Sequence, residues 1–331
     1  MKTETSAKII CDSVSPAGHR LTTFESTFPR SILAEVNTHR VLSRNSASSR
    51  AIPVEKMIKR VMDDLYMPTH WGKNQKGMQA NEDVDEKEQA ESCRSWLGAS
   101  RAAVMFSKNL FHIGIHKQIT NRLLEPFMWH TALITGTEWA NFFNLRDNRD
   151  AHPDFRDLAH VMRELYAKGS PGVVYEGMWH RPLIDETESA RSDADQNYWC
   201  KVSVGRCARV SYLTHDGKRD RLADVELCER LLSSGHMSPF EHVARPMAKE
   251  ELEFFRQKKV RWVETEKQKG WEWIGAEYRI PIALRIPGCP DPMHHATLVK
   301  EGEYTHFLGN LNGFVQYRKM IPNEGDILGA R

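Results

Sequence analysis

Between Thr38 and Arg50 the chain reads Thr-His-Arg-Val-Leu-Ser-Arg-Asn-Ser-Ala-Ser-Ser-Arg. Small residues let a backbone turn sharply and expose its N–H groups, while hydroxyls and guanidinium forks add donors around the turn. A segment so built suits the grip of phosphate oxygens. Other segments carry chemistry too. Arg122 stands just before Pro126, near the end of a long apolar stretch. In Asn141-Phe142-Phe143-Asn144-Leu145-Arg146, helical spacing puts both asparagines on one face and Arg146 one turn past Phe142. After Gly235 comes His236-Met237-Ser238-Pro239-Phe240-Glu241-His242, where Ser238 and Glu241 have capping-box spacing. That spacing leaves the flanking histidines without a structural reason. Taken singly, these are a polar loop, a solvated arginine, an amphipathic helix and a capped turn.

The elements that must position these residues are helices and strands in no regular alternation. Residues 8–28 read as strand and turn leading to Pro29, a suitable first-turn residue for a helix carrying Val36 and His39. Residues 72–89 are polar and charge-mixed, an exposed loop or the solvated start of a helix. Ala103, Phe106, Leu110, Ile113, Ile119 and Leu123 mark a long, mostly helical stretch that Pro126 interrupts. Another helix is expected from about His130 through Phe143, and a further one through Leu158, Met162 and Leu165, with Gly169 as C-cap. Residues 169–198 break the periodicity with an acidic, polar tract and read as an internal linker. Beyond it, VSVGRCARVSYL reads as a strand entering a loop, and Leu222, Val225, Cys228, Leu231 and Leu232 form a helical stripe stopping at Gly235. The tail after 258, with Trp262, Trp271 and Trp273, gives no functional signal. Without a βαβ rhythm or internal repeat, the fold class is α+β, a mixed sheet with several helices.

Size and composition set the outer limits. At 331 residues the chain can bury a full core. Its 46 basic and 44 acidic side chains leave a formal charge of +2, which gives no footprint for a nucleic-acid polymer. No apolar run approaches a membrane span and the N-terminus lacks a signal-peptide core, so a cytoplasmic protein is expected. Cys11, Cys93, Cys200, Cys207, Cys228 and Cys289 are scattered without a Cys-x-x-Cys pair, as reduced core residues would be. No His-Glu-x-x-His occurs, and the adjacent His294-His295 would diverge on a helix, so no metal site is assigned.

Together the chemistry-bearing segments resemble those of flavin-dependent thymidylate synthases. The family signature of Arg-His-Arg, seven residues and Ser is similar to Thr38-His39-Arg40, seven residues and Ser48, continued by Ser49 and Arg50. The helix ending Asn-Phe-Leu-x-Leu-Arg resembles Asn141 through Arg146, the Ala-Arg-Val-Ser strand end resembles Ala208 through Ser211, and His-x-Ser/Thr-Pro-Phe-Glu-His resembles His236 through His242. The order differs: in the usual chain the last two segments precede the signature, and here they follow it. The resemblance therefore implies a circularly permuted fold of that family. Residues 1–168 would carry the flavin and nucleotide signature, 169–198 the permutation linker, and 199–248 the segment completing the same domain. Residues 249–331 would be a C-terminal extension of unassigned role.

The resemblance implies transfer of a one-carbon unit from methylenetetrahydrofolate to C5 of a pyrimidine deoxynucleotide monophosphate, dUMP to dTMP, with FAD reduced by NADPH. It implies no cysteine nucleophile and a site built between subunits of a homotetramer. Ser48, Ser49, Arg50 and Arg122 would hold the nucleotide phosphate, and Arg146 would face the pyrimidine edge as an electrostatic catalyst. Glu35, Thr38 and Ser46 would also lie against substrate. His39, Arg40, Asn141 and Ser238, with Thr38, Ser46, Thr135, Ser211, His236 and Glu241, would line the flavin. This chain has Thr38 for the first signature arginine, Ser46 for a glutamate, Ala51 for a tyrosine and Glu35 for a glutamine. A carboxylate at 35 accepts hydrogen bonds where an amide could donate, so an exocyclic amine, hence cytosine and dCMP, would suit it if it faces the base. Facing the phosphate, it would need a neighbour such as Arg40 or Arg122. Hydroxymethylation of dUMP or dCMP, methylation of dCMP, and a non-catalytic nucleotide-binding homologue are the alternatives these departures leave.

Overall fold

The computed structural model describes residues 3–80, 82–189, 195–212, 219–253 and 309–321, and all structural statements concern these. The chain opens as an antiparallel hairpin of β1 (Ser6–Val14) and β2 (Arg20–Pro29), as the strand reading of 8–28 expects. Pro29 ends β2. A 3-10 turn and the single-turn α1 (Leu33–Val36) lead the chain off the sheet, and it returns as β3 (Ser43–Ser46). His39 thus sits in the turn between α1 and β3, not on a helix. The amphipathic α2 (Val54–Asp63) buries Val54, Met57, Ile58 and Val61. A capping box of Asp85 and Glu88 starts α3 (Glu86–His112); α4 (Lys117–Thr120) and a 3-10 stretch containing Pro126 follow.

The expected helix from His130 to Phe143 is instead β4 (Trp129–Gly136) followed by the short α5 (Ala140–Arg146). The reason is position: β4 lies between β3 and β2 and is buried on both faces from Ala132 to Gly136, so its residues do not alternate between buried and exposed. Next come α6 (Pro153–Lys168), β5 (Gly172–Val173), α7 (Glu186–Ser189), α8 (Gln196–Tyr212) and α9 (Arg221–Ser233). The segment read as a strand before Ser211 is therefore α8. Its valines face packed neighbours on all sides, and that burial outweighs their β preference. Gly169 does follow α6, but with φ −67° it is no left-handed cap. Close approach explains it: a Cβ there would lie 2.6 Å from Arg20 Nη2. The pair β6 (Ala244–Pro246) and β7 (Phe314–Gln316) stands apart from the main sheet, whose order is β3-β4-β2-β1-β5, mixed because only β1 and β5 run parallel.

Alternation through β2 and β4 gives the sheet two buried faces. Phe24, Phe28, Ala132 and Ile134 pack on α5 and α6 through Trp139, Phe142, Phe155 and Leu158. Each such large side chain contributes roughly 1.5–3 kcal/mol by leaving water. On the other face Leu133 meets Cys207 and Val210 of α8, and Leu21 meets Ala244, Leu311 and Phe314. The architecture is α+β, helices covering both faces of a mixed sheet.

A buried hydrogen-bond chain crosses this second face. Ser13 Oγ bonds His180 Nδ1 at 2.8 Å, His180 Nε2 bonds Thr23 Oγ1 at 2.8 Å, Thr23 bonds Thr135 at 2.7 Å, and Thr135 bonds His242 Nδ1 at 2.7 Å. His180, from the tract read as a linker, is wholly buried, and its N–H donates to Ala244 O at 2.7 Å. Part of that tract is therefore built into the core.

Candidate functional site at the edge of the sheet

Strand β3 is an edge strand, and its alternation sorts the signature residues between faces. Ser43 and Asn45 are buried on the α8 side, where Asn45 Nδ2 donates to Cys207 O at 2.7 Å. Arg44 and Ser46 point the other way, and the Arg44 guanidinium donates to His39 O.

The turn before β3 meets the end of α5. Arg146 Nε donates to His39 Nε2 at 2.8 Å and its Nη2 donates to Thr38 Oγ1 at 3.2 Å. Thr38 Oγ1 in turn donates to Glu35 O at 2.6 Å. A guanidinium only donates, so His39 Nε2 must be an acceptor and the ring is neutral. Burial, then the positive charges of Arg146 and Arg44, push the His39 pKa down to about 4. The imidazole is braced edge-on by Phe142 and Phe155, and the Arg146 guanidinium lies 4.7 Å over the Phe155 ring. This places Thr38, His39 and Arg146 in one cluster, with Glu35 one turn upstream. Glu35 Oε2 is buried and has no hydrogen-bond partner among the described residues.

Past β3, the Ser48–Arg50 loop is fixed from below. Asn121 Nδ2 donates to Ser49 O at 2.7 Å and Ile52 O at 3.0 Å, and Lys117 Nζ to Ala51 O at 3.2 Å. Arg122, the next residue, is thereby carried beside the loop, although its guanidinium is paired with Glu125 at 2.8 Å. Arg40 and Arg50 are exposed and show no ion pair among the described residues. A cavity of about 280 Å³ backs this loop, lined by Arg30, Ser49, Arg60, His130 and Thr131 among others. Arg30 Nη1 donates to His130 Nδ1 at 3.0 Å, so the His130 proton sits on Nε2; burial first and then Arg30 push its pKa down to about 3.

The remaining candidates separate. Ser238, in the 3-10 turn Ser238–Glu241, is exposed and does not cap it; its Oγ reaches Asn45 Oδ1 at 3.4 Å. This corrects the capping-box reading, because Met237 occupies the N-cap position. His236 and Asn141 are exposed, Ser46 is half-buried on β3, and Glu241 is paired with Arg318. Thr135 is fully buried, its hydroxyl bonded to Thr23 and His242. Ser211 is on α8, and its side chain lies outside the described residues, as do Cys289, His294-His295 and the tail tryptophans. Burial raises the thiol pKa of Cys11 to about 11 and of Cys228 to about 12, which suits core packing and not nucleophilic attack. Among the described residues no group of His, Cys, Asp or Glu is arranged to hold a metal ion, and no helix is long and apolar enough to cross a membrane.

Arg30, Asn121, Asn310, Gln316 and Arg318 had no sequence signal for the site, and Arg44 had only its place in the Thr38–Arg50 stretch. Only Asn121 could have drawn notice, as the neighbour of Arg122.

The site thus brings a loop of serines and basic residues beside an arginine fixed by a neutral histidine. Residues 9–172 match the family model described as thymidylate synthase complementing protein. The match supports the C5-pyrimidine one-carbon transferase class that the sequence resemblance implied. Among solved structures, the chain is similar to the UMP/dUMP methylase PolB from Streptomyces cacaoi bound with 5-Br UMP, at 17% identity and TM-score 0.43, covering 50% of this chain and 90% of that one. The same methylase bound with 5-Br dUMP matches at 18% identity and TM-score 0.42, covering 50% and 91%. No curated protein matches.

Proposed function

We propose that the protein transfers a one-carbon unit from methylenetetrahydrofolate to C5 of dUMP, with bound FAD and with NADPH as reductant, giving dTMP. The observation that carries this is the Arg146 guanidinium. Its Nε and Nη2 are held by His39 and Thr38, while Nη1 makes no hydrogen bond among the described residues, so a fixed cation keeps Nη1 for a ligand. Against a pyrimidine edge it favours the N3-deprotonated ring and raises electron density at C5. A neutral His39 is what permits the contact, since an imidazolium would present a second donor and a like charge. The Ser48–Arg50 loop, held by Asn121 with Arg122 alongside, supports a phosphate-binding role.

The residues present fit a flavin. Exposed Arg40, His236, Asn141 and Ser238 form a set rich in donors, which suits its carbonyl and phosphate oxygens. When bound, FAD supplies the hydride that makes the transferred carbon a methyl group. The test is a mass spectrum of nucleotide after incubation with FAD, NADPH, methylenetetrahydrofolate and dUMP. A methyl-sized gain, lost in Arg146→Ala, is expected; no gain from protein that binds and reduces flavin would sink the reading.

One observation favours a second reading, dCMP as the acceptor. Glu35 Oε2 is a buried acceptor without a donor, and neither Arg40 nor Arg122 reaches it. An exocyclic amine would satisfy it where uracil O4 would not. Calorimetric titration with both nucleotides decides, and clear dUMP preference would exclude dCMP.

We further propose a homotetramer in the cytoplasm and a circularly permuted chain. Phe106, Ile113 and Ile119, at 54%, 73% and 56% exposure along α3 and α4, support burial against further copies. Light scattering showing a monomer would refute that. Support for permutation is that α8 and Ser238–His242, both downstream of the family segment, pack on the sheet carrying the signature, and α9 packs on α8. A chain with residues 195–331 placed ahead of 1–168 should fold, and an insoluble product would count against it.

A further inference from the structure

The segment 309–321 lies outside the matched family region, yet it bonds the signature strand, the Ser238–Glu241 turn and the turn before α5. Gln316 is 2% exposed, and its Nε2 donates to Ser43 Oγ at 2.9 Å, Glu241 O at 3.1 Å and Asn310 Oδ1 at 2.9 Å. Asn310 Nδ2 donates to Val41 O and to Ser43 Oγ, both at 3.0 Å. Asn312 N donates to Thr137 Oγ1 at 2.8 Å and its Nδ2 to Glu138 Oε1 at 3.1 Å, in the turn that leads to Asn141 and Arg146. Arg318 pairs with the Glu241 carboxylate.

The bonding has one sense. Flipping the Gln316 amide would set its oxygen against Glu241 O and Asn310 Oδ1, both acceptors, so the orientation is fixed. Room for it comes from Gly309, where a Cβ would lie 2.6 Å from Gln316 Oε1. The segment is anchored independently of these polar contacts: Leu311 and Phe314 are buried against Leu21, and Tyr317 stacks on Phe240 at 6.0 Å. β3 and the Ser238–Glu241 turn also meet directly, through Ser238 Oγ and Asn45 Oδ1 at 3.4 Å.

We propose that Gln316 and Arg318 are positioning residues, and that the C-terminal extension is a clamp fixing the Ser-Pro-Phe-Glu-His turn in register with the signature strand. In its effect on ligand, the clamp rests on the flavin reading above; in its effect on the two motifs, it does not. Gln316 acts by holding Ser43 and the Glu241 carbonyl, and Arg318 by fixing the Glu241 carboxylate.

The test uses the full-length, ligand-free protein and the variants Gln316→Glu, which keeps shape but loses the donors, and Arg318→Met. Amide hydrogen exchange is expected to rise at least tenfold in residues 41–46 and 237–242, while 6–14 in β1 stay as in the wild type. FAD affinity, read by flavin fluorescence, should fall about tenfold, the equivalent of ~1.4 kcal/mol. Unchanged exchange, or a uniform rise across the sheet, would overturn the clamp. Local loosening with FAD affinity unaltered would overturn the positioning role. If the wild type itself binds no FAD, the flavin reading fails, and exchange alone still decides whether the clamp exists. Should Gln316→Glu fail to fold, Arg318→Met carries the same comparison.

Discussion

Mild acid should destabilise this protein far more than its near-neutral charge suggests. His39, His130, His180 and His242 are 7%, 2%, 0% and 0% exposed. Burial leads in lowering every one, to about 4 for His39 and about 3 for the other three. In the unfolded chain each returns to about 6.5, so below that pH the unfolded state binds protons that the native state refuses. Stability is therefore full above about pH 6.5 and is lost as pH falls toward the folded values. Between pH 7 and 5 each histidine costs about 1.8 kcal/mol, so together they remove about 7 kcal/mol, comparable with the whole stability of many domains. The window isolates them, because unfolded carboxylates titrate near pH 4 and hardly change above 5. Urea unfolding followed by tryptophan fluorescence at pH 7, 6 and 5 measures the loss. A free energy that changes by less than about 2 kcal/mol over that range would mean these rings are solvated or protonated in the native state, refuting the argument.

Other perturbations separate binding, chemistry and packing. Arg146→Lys keeps the charge but cannot satisfy His39 and Thr38 together, so turnover should fall about 10²–10³-fold with the melting temperature little moved, checked by single-turnover kinetics. Arg50→Ala should weaken nucleotide binding about ten- to a hundredfold while leaving the nucleoside's affinity unchanged, as paired titrations would show. Asn121→Ala strands the buried Ser49 and Ile52 carbonyls and should cost about 2–4 kcal/mol in urea unfolding. Phe314→Ala, at a wholly buried side chain, should cost about 3–5 kcal/mol by the same assay.

What the sequence made legible followed local rules. The strand reading of 8–28, the α6 stripe through Leu158 and Met162, and the α9 stripe ending at Gly235 show the periods their burial requires. Both misread elements, β4 and α8, are buried all round, where period disappears and β-branched residues no longer discriminate. At the site, spacing identified His39 and Arg146 separately, but no rule of local sequence joins residues 107 apart. Thr135 shows the opposite limit: the resemblance set it against the flavin, yet only the fold reveals that a buried histidine holds its hydroxyl. Gln316 and Arg318 were illegible because a helper residue needs no special type, only an address, and theirs is set by folding of a distant segment.

That address has a physical logic. β3 is an edge strand, and an edge presents unpaired backbone groups that must be covered or blunted. Here Asn310 takes up Val41 O near that edge, while Gln316 takes up Ser43 Oγ and the Glu241 carbonyl. Covering the edge and tying the Ser238–Glu241 turn to it are then one act. If the chain is permuted, its order cannot deliver that turn directly into β2, and the two motifs must be held together by side chains. Such contacts can be weakened one at a time, so graded loss of flavin affinity across Asn312, Arg318 and Gln316 variants, ordered by the number of motif contacts each removes, is the behaviour expected of a clamp. An all-or-none loss would instead mark the segment as an ordinary part of the core.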